Sequence, residues 1–176
     1  MREVYIFDID GCVMAPIFSN FEKDEPREKI VGEAVHNGNG IKLFPDFVNY
    51  YRNCCVKAES IFFITGRKKS EFGSLTDKHL RPLVEIKRFN VIYYPEAKSH
   101  KKRKYFNWKA KRVKEIIKNI NNEKLFNTPN RENLVFNIFD DLNNYFQKIR
   151  KFGDKRDIQI HLTLIENENN WNQLLQ

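Results

Sequence analysis

Two carboxylates one residue apart, Asp8 and Asp10, are the first residues in the chain whose types and spacing could do chemistry. The apolar run VYIF before them is typical of a buried strand. Because an unpaired charge inside a core is costly, we expect both carboxylates at the end of that strand, where Gly11 lets the backbone turn. Such an arrangement suits a hard cation and a phosphate. The alternative is a strand whose end is simply solvated by aspartates.

Polar groups also follow two later apolar runs. Thr65, Gly66 and Arg67 come directly after IFFI, and a hydroxyl, a glycine amide and a guanidinium at a strand tip indicate an oxyanion cradle. Asp140 and Asp141 come directly after LVFNIF. The alternatives are an ordinary turn with Thr65 as a helix N-cap, and an aspartate N-cap for the helix that follows the acidic pair.

One lysine is distinguished by its helical phase. Residues 107–121 predict the clearest helix, and Lys109 lies four residues before Val113, on its apolar face. Lys111 and Lys114 point away from that face. A lysine in register with the core face must either extend along the helix surface to solvent or meet an anion.

The elements that must position these groups alternate along the chain. Strands are predicted at 60–64, 89–94, 134–139 and 158–165 besides the first, and helices at 45–56, 68–84, 107–121 and 142–152. This alternation predicts an α/β domain with a mainly parallel, five-stranded sheet. Because the carboxyl ends of parallel strands face one crevice, we expect the two carboxylate pairs and Thr65 to share one rim.

Length, charge and cysteine content restrict the class of protein. The 176 residues predict one domain (1–176), and the formal charge of +8 favours encounters with anions. Neither a secretory signal nor a membrane span is apparent, so no membrane partner is expected. Cys12, Cys54 and Cys55 form no disulfide framework or metal motif, which predicts a reducing, cytoplasmic location.

Two polar stretches have open interpretations. Segment 14–40 is irregular and predicts a solvated loop or hairpin, or a flap over the site, since it leaves directly from the turn after Asp10. The basic stretch KSHKKRK (98–104) has aromatic neighbours, a combination that holds phosphates and stacks bases in many nucleic-acid-binding proteins. The alternative for this stretch is a solvated, lysine-rich loop.

With these motifs in order along residues 3 to about 165, the chain resembles the haloacid dehalogenase superfamily of phosphohydrolases. DIDGC (8–12) is similar to the first motif of that family, FITGR (63–67) to the second, Lys109 to the third and FDD (139–141) to the fourth. The resemblance implies a Rossmann-like three-layer sandwich. It also implies phosphoryl-transfer chemistry that depends on Mg²⁺.

The resemblance further implies roles for individual residues. Asp8 is the expected nucleophile, forming an aspartyl-phosphate, and Asp10 the expected general acid and base. Mg²⁺ is expected on Asp8, the Asp10 carbonyl and the pair Asp140 and Asp141. The residues expected to contact the phosphorylated substrate are Gly11, Thr65, Gly66, Arg67 and Lys109.

Two features depart from the family pattern. Cys12 stands where many members carry a threonine, and it is expected to pack as a small buried thiol. The chain also leaves no room for a large cap domain, so the site is expected to admit bulky substrates, including phosphorylated nucleic-acid ends and nucleotides. Two other functions remain open from sequence: a non-catalytic nucleic-acid-binding module on the same fold, and a phosphotransferase that delivers the group to an alcohol.

Overall fold

The computed structural model describes residues 2–16, 41–97, 102–127 and 134–176. The strands in this part of the chain are β1 (Arg2–Asp8), β2 (Met14–Pro16), β3 (Ile41–Leu43), β4 (Ala58–Lys68), β5 (Asn90–Tyr94), β6 (Leu134–Asp140) and β7 (Gln159–Leu164). The helices there are α1 (Pro45–Lys57), α2 (Lys69–Val84), α3 (Lys102–Asn127), α4 (Phe146–Asp154) and α5 (Asn169–Gln173).

Five of the strands form one sheet in the order β5-β4-β1-β6-β7, and every neighbouring pair is parallel. The central position of β1 explains its unbroken apolar run, because a strand covered on both faces has no solvated side to receive polar residues. The predicted α/β fold with a mainly parallel, five-stranded sheet is confirmed.

Helices cover both faces of the sheet. Tyr5 and Phe7 of β1 point into a core shared with α1, α2 and α5, and this core is rich in aromatic rings. Val4 and Ile6 point to the opposite face, where α3 and α4 pack. Alternation along a single strand therefore builds the three-layer sandwich. Among the described residues, no helix is both long and apolar enough to cross a membrane.

Two helices begin four or five residues away from the predicted start. Helix α3 begins at Lys102 instead of Asn107, so the last three residues of the basic stretch are helical, and the stretch 98–101 lies outside the described residues. Helix α4 begins at Phe146 instead of Leu142. Its N-cap is Tyr145, without a side-chain capping bond, so the alternative interpretation of the acidic pair as an N-cap for this helix is wrong.

The predicted segment 14–40 begins as a strand. Its first residues form β2, which pairs antiparallel with β3, and the Phe44 amide donates to the Val13 carbonyl at 3.0 Å. Residues 17–40 lie outside the described part of the chain, so the flap stays a prediction. The paired strands β2 and β3 therefore lie between the turn after Asp10 and the start of α1.

Candidate active site

The strand register brings the predicted chemical groups to one edge of the sheet. Asp8, the last residue of β1, lies opposite Ile64 of β4, directly before Thr65. On the other side, β1 and β6 run in register to within one residue of Asp140, which ends β6. The carboxyl ends of the three central strands therefore meet around Asp8.

Three carboxylates gather at this edge. Oxygens of Asp8, Asp140 and Asp141 all lie within 4.8 Å of one another. Asp8 and Asp140 are buried, and Asp141 Oδ1 is a buried atom with no hydrogen-bond partner among the described residues. Buried oxygen atoms this close, one of them without a donor, match the ligand set of a hard divalent cation.

The protonation equilibria of the cluster reflect this crowding. Burial raises the pKa of Asp8 well above its usual range, and the charges of Asp140 and Asp141 add to that increase, while Lys109 opposes it. Burial and the neighbouring Asp140 raise the pKa of Asp141 to about 6. A cation bound among these groups would favour their ionised forms.

Lys109 supplies a positive charge inside the cluster. Its Nζ lies 2.7 Å from Asp8 Oδ1 and 2.5 Å from Asp140 Oδ2, and the side chain is 1% exposed. Burial lowers the pKa of Lys109, but the attraction of Asp140 and Asp8 outweighs it, so the net pKa lies well above the usual value. The structure thus places Lys109 on the inner face of α3, whereas the Lys111 side chain is 74% exposed.

Asp10 has a different environment from Asp8. Arg67 donates to both of its carboxylate oxygens, from Nε at 3.0 Å and from an Nη at 2.6 Å. The guanidinium is itself buried and its other Nη donates to Thr76 Oγ1 at 3.0 Å. Arg67 was expected to contact the phosphate, but here its donors are taken up by Asp10 and Thr76.

Strand β4 is irregular where it carries the second motif. Its pairing with β5 shifts between Ile64 and Lys68, which is how a bulge changes the direction of side chains beside a site. Thr65 Oγ1 accepts from the Arg67 amide at 3.1 Å and lies 3.4 Å from Asp10 Oδ2. Thr65 is not a helix cap, because α2 is preceded by Lys68 without a side-chain capping bond.

Glycine is required at position 11. Its φ of +84° lies in the left-handed region, and a Cβ added there would overlap Asp141 Oδ2. The Gly11 amide donates to the Met14 carbonyl at 2.8 Å, inside the turn. The turn after β1 is therefore pressed against the acidic cluster, and any side chain at this position would displace Asp141.

Three aromatic residues support the site and were not predicted. The Tyr145 hydroxyl donates a hydrogen bond to Asp140 Oδ2 at 2.6 Å. The Tyr105 ring lies beside Lys109, whose Nζ is 5.4 Å from the ring centre. Trp171 Nε1 donates to the Cys12 carbonyl at 2.8 Å. The spacing of Tyr105, four residues before Lys109, was an available signal. No local pattern pointed to Tyr145 or Trp171.

The fold is similar to that of the HAD domain of the effector protein Lem4 from Legionella pneumophila. The TM-score is 0.50 at 12% sequence identity, over 99% of this chain and 92% of that chain. An inactive mutant of the same domain matches with a TM-score of 0.48, also at 12% identity, over 99% of this chain and 91% of that one. No family model and no curated protein matches the chain. The resemblance to the haloacid dehalogenase superfamily is confirmed as a likeness of fold.

Proposed function

We propose that this protein is a Mg²⁺-dependent phosphomonoester hydrolase that acts through an aspartyl-phosphate on Asp8. The observation that carries the proposal is the buried cluster itself. Asp8 ends the central strand within 4.8 Å of Asp140 and Asp141, and Lys109 lies beside it at 2.7 Å. The haloacid dehalogenase-like fold supports the same reaction class.

The residues present fit a magnesium ion. Asp8, Asp140 and Asp141 are the groups that would hold it, together with the Asp10 carbonyl that the family resemblance implies. When bound, Mg²⁺ supplies positive charge that offsets the charge of the carboxylates and of the phosphoryl oxygens. Asp140 already accepts from the Leu142 amide and from Tyr145, whereas one oxygen of Asp141 has no donor among the described residues. This difference favours Asp141 over Asp140 as the residue that would contact the metal directly.

The reaction would proceed in two displacements. In the first, a carboxylate oxygen of Asp8 attacks phosphorus, the bond from phosphorus to the leaving oxygen breaks, and Asp10 gives that oxygen a proton. In the second, Asp10 takes a proton from water, the water oxygen attacks phosphorus, and the bond to Asp8 breaks. Inorganic phosphate leaves and both carboxyl groups return to their starting states.

Lys109 would stabilise the charge on the phosphoryl group. Its ammonium is fixed by Asp8 and Asp140 next to the attacking oxygen, so it needs little reorganisation when charge gathers on the phosphoryl oxygens. The raised pKa keeps Lys109 protonated. Thr65 and the Gly66 amide, at the bulge of β4, are the further groups proposed to contact those oxygens.

Arg67 would act as a positioning residue for Asp10. A bidentate guanidinium fixes the plane of a carboxylate as well as its distance. Arg67 is in turn fixed by Thr76, so the orientation of Asp10 is determined by packed residues of β4 and α2. The pair with Arg67 therefore holds the Asp10 carboxylate apart from the three carboxylates assigned to the metal, while the Asp10 carbonyl remains a proposed ligand.

We also propose that the protein acts in a reducing, cytoplasmic compartment and on a bulky phosphorylated substrate. Cys12, Cys54 and Cys55 are free thiols, and burial raises the pKa of Cys12 well above its usual range, which matches an inert packing role. A phosphorylated nucleic-acid end or nucleotide is the substrate class that the basic charge of the chain favours.

The test is phosphate release with and without Mg²⁺ over a panel of substrates: an aryl phosphate, nucleotides, sugar phosphates, phosphopeptides and phosphorylated oligonucleotides. Wild type is compared with Asp8→Asn and with Asp154→Asn, which removes an exposed aspartate of α4. We expect metal-dependent release from the wild type and from Asp154→Asn, and none from Asp8→Asn.

The other outcomes separate the competing functions. Substantial activity in Asp8→Asn would contradict the nucleophile assignment. Transfer of phosphate to an added alcohol in place of water would identify a phosphotransferase. No release from any substrate, with oligonucleotides still bound, would identify a binding module.

A further inference from the structure

A groove lies between α3 and α4 on the outer surface of the protein, away from the acidic cluster. Its volume is about 410 Å³, and four lysines line it: Lys111, Lys114, Lys118 and Lys148. The ring of Phe152 also lines it. No motif in the sequence indicates this surface, whose lining residues all lie outside the basic stretch 98–104.

The positive charge of the groove has little compensation. Glu115 is the acidic residue of the lining, and its carboxylate is shared by Lys111 at 3.9 Å and Arg112 at 2.6 Å. Among the side chains that the structure describes, none forms an ion pair with Lys114 or Lys118. The groove is thus a concave surface lined by four lysines and one acidic residue, so it carries a net positive charge.

Lys114 shows the resulting repulsion most clearly. Burial lowers its pKa, and the nearby charges of Lys148 and Arg156 lower it further. Both Lys114 and Arg156 lie against the Phe152 ring, with Lys114 Nζ 5.7 Å and Arg156 Cζ 4.1 Å from its centre. An anion placed among these cations would relieve the repulsion.

Asn107 and three lysines of α3 form a stripe along the outer face of the helix. Asn107, Lys111, Lys114 and Lys118 are spaced by four, three and four residues, so they share one helix face. The stripe extends about 16 Å along the helix axis at 1.5 Å per residue. Its first residue, Asn107, accepts a hydrogen bond from Lys148 Nζ and lies two residues before Lys109.

We propose that this groove binds the phosphate backbone of a single-stranded nucleic acid. A row of lysines presents point charges at intervals, which suits a polymer with one phosphate per unit better than a single headgroup. We expect the groove, which lies along two packed helices, to hold one strand in preference to a duplex.

The location of the groove connects it to the reaction. Helix α3 carries the groove on its outer face and Lys109 on its inner face, and a helix is about 10–12 Å in diameter. A bound strand must therefore pass around the first turns of α3 before its end meets Asp8. We expect several nucleotides between the anchored backbone and a reacting terminal phosphate, a point that rests on the proposed function.

Binding is tested with a fluorescently labelled oligothymidylate of about 20 nucleotides that lacks a terminal phosphate. Anisotropy is measured over a range of salt concentrations for wild type and for the triple variant Lys111→Gln, Lys114→Gln and Lys118→Gln. The matched control is Lys57→Gln, Lys78→Gln and Arg81→Gln, which removes the same charge from exposed positions of α1 and α2, on the other side of the sheet. A third variant replaces the groove lysines with arginine.

We expect the groove variant to bind at least about tenfold more weakly at low salt, with a log–log salt slope about 2 units shallower, because three phosphate contacts are lost. The surface control and the arginine variant should bind within about threefold of the wild type. Equal losses in the groove variant and the surface control would overturn the proposal, as would no loss in either.

Further probes separate the possible partners. A duplex that binds more tightly than the single strand would overturn the assignment to single strands. If the groove variant loses binding to anionic lipid vesicles or to polyglutamate while oligothymidylate binding is unchanged, the partner is of another class and the proposal is wrong.

Activity measurements extend the test to the substrate. The groove variant should lose about tenfold in kcat/KM for a phosphorylated oligonucleotide, while its kcat/KM for a mononucleotide or an aryl phosphate stays unchanged. An equal loss for all three would contradict the groove as a remote anchor. If no substrate is hydrolysed by the wild type, the proposed function fails, and the binding experiment still decides whether the groove holds nucleic acid.

Discussion

The two faces of α3 carry the same residue type in opposite electrostatic settings. On the inner face, Lys109 is buried between Asp8 and Asp140, and its pKa is raised. On the outer face, Lys114 lies close to Lys148 and Arg156, and its pKa is lowered by burial and by their charges. The protein therefore supplies two carboxylates to Lys109, whereas the charged groups near Lys114 are cations.

The comparison shows that the number of charged residues in a helix does not identify which of its lysines is functional. The helix is strongly basic along its length, yet among its lysines with described side chains the one that reaches the acidic cluster is Lys109, which is in phase with the core. The outer lysines are separated from that cluster by the helix itself. Substitutions on the two faces should therefore affect different measurements, one the chemical step and the other the binding of anions.

The largest effect is expected for Lys109→Ala. We expect phosphate release to fall by about 10²–10³-fold, because a preorganised positive charge at the phosphoryl group is lost. Breaking a buried ion pair also costs about 3–5 kcal/mol of unfolding free energy, which lowers the Tm by on the order of 10 °C in a domain of this size. Kinetics and thermal unfolding measure the two effects. Lys111→Ala is the matched control, and equal losses in the two variants would contradict the separation of the faces.

A smaller loss is expected for Arg67→Lys, which keeps a cation beside Asp10 but removes the bidentate pair. Misplacement of the general acid should lower kcat/KM by about 10–100-fold for an alkyl phosphate, whose leaving oxygen needs a proton. The loss should be much smaller for an aryl phosphate with a good leaving group. Equal losses on both substrates would indicate general damage to the site. Arg81→Lys, at an exposed position of α2, is the control.

Asp141→Asn should stabilise the metal-free protein. Because the folded pKa of Asp141 is about 6 and the unfolded value is 3.8, keeping this group ionised costs stability. The cost is absent below about pH 4, grows as the pH rises, and is complete above about pH 6. In chelator we therefore expect a higher Tm for the variant at pH 7 and a smaller difference at pH 5. Added Mg²⁺ should raise the Tm of the wild type and have little effect on the variant. A lower Tm for the variant in chelator would contradict the repulsion within the cluster.

The smallest effect is expected for Lys114→Gln. Removing one of three crowded cations should raise the unfolding free energy by about 0.2–0.5 kcal/mol at low salt, and the gain should disappear at high salt. Thermal unfolding at two salt concentrations measures this. A destabilised variant would show that the contact of Lys114 with Phe152 matters more than the repulsion from Lys148 and Arg156.

The parts of the site that depend on local pattern were predictable from the sequence. Apolar runs located the strands that carry Asp8, Thr65 and Asp140, and parallel strands place their carboxyl-terminal parts at one edge. Helical phase selected Lys109. These inferences needed only the period of each element and the general geometry of α/β folds, so the fold class and the acidic cluster could be anticipated.

The parts that depend on register and on long-range packing were not predictable. The pair between Asp10 and Arg67 joins residues 57 positions apart and requires the observed pairing of β1 with β4. Helix α4 begins late because Asp140 and Tyr145 hold the preceding loop through side-chain bonds. The groove exists because α3 and α4 are neighbours on one face of the sheet, an adjacency that follows from the strand order.

The hydrogen bond from Trp171 to Cys12 has a consequence for the time course of folding. It links residues 159 positions apart, and the Trp171 ring also packs against Phe7, Phe47 and Phe139. Contacts of such high sequence separation form slowly, because a long loop must close first. We expect the turn after β1 to reach its final geometry only when α5 docks. During refolding, catalytic competence should therefore lag behind the recovery of helical signal.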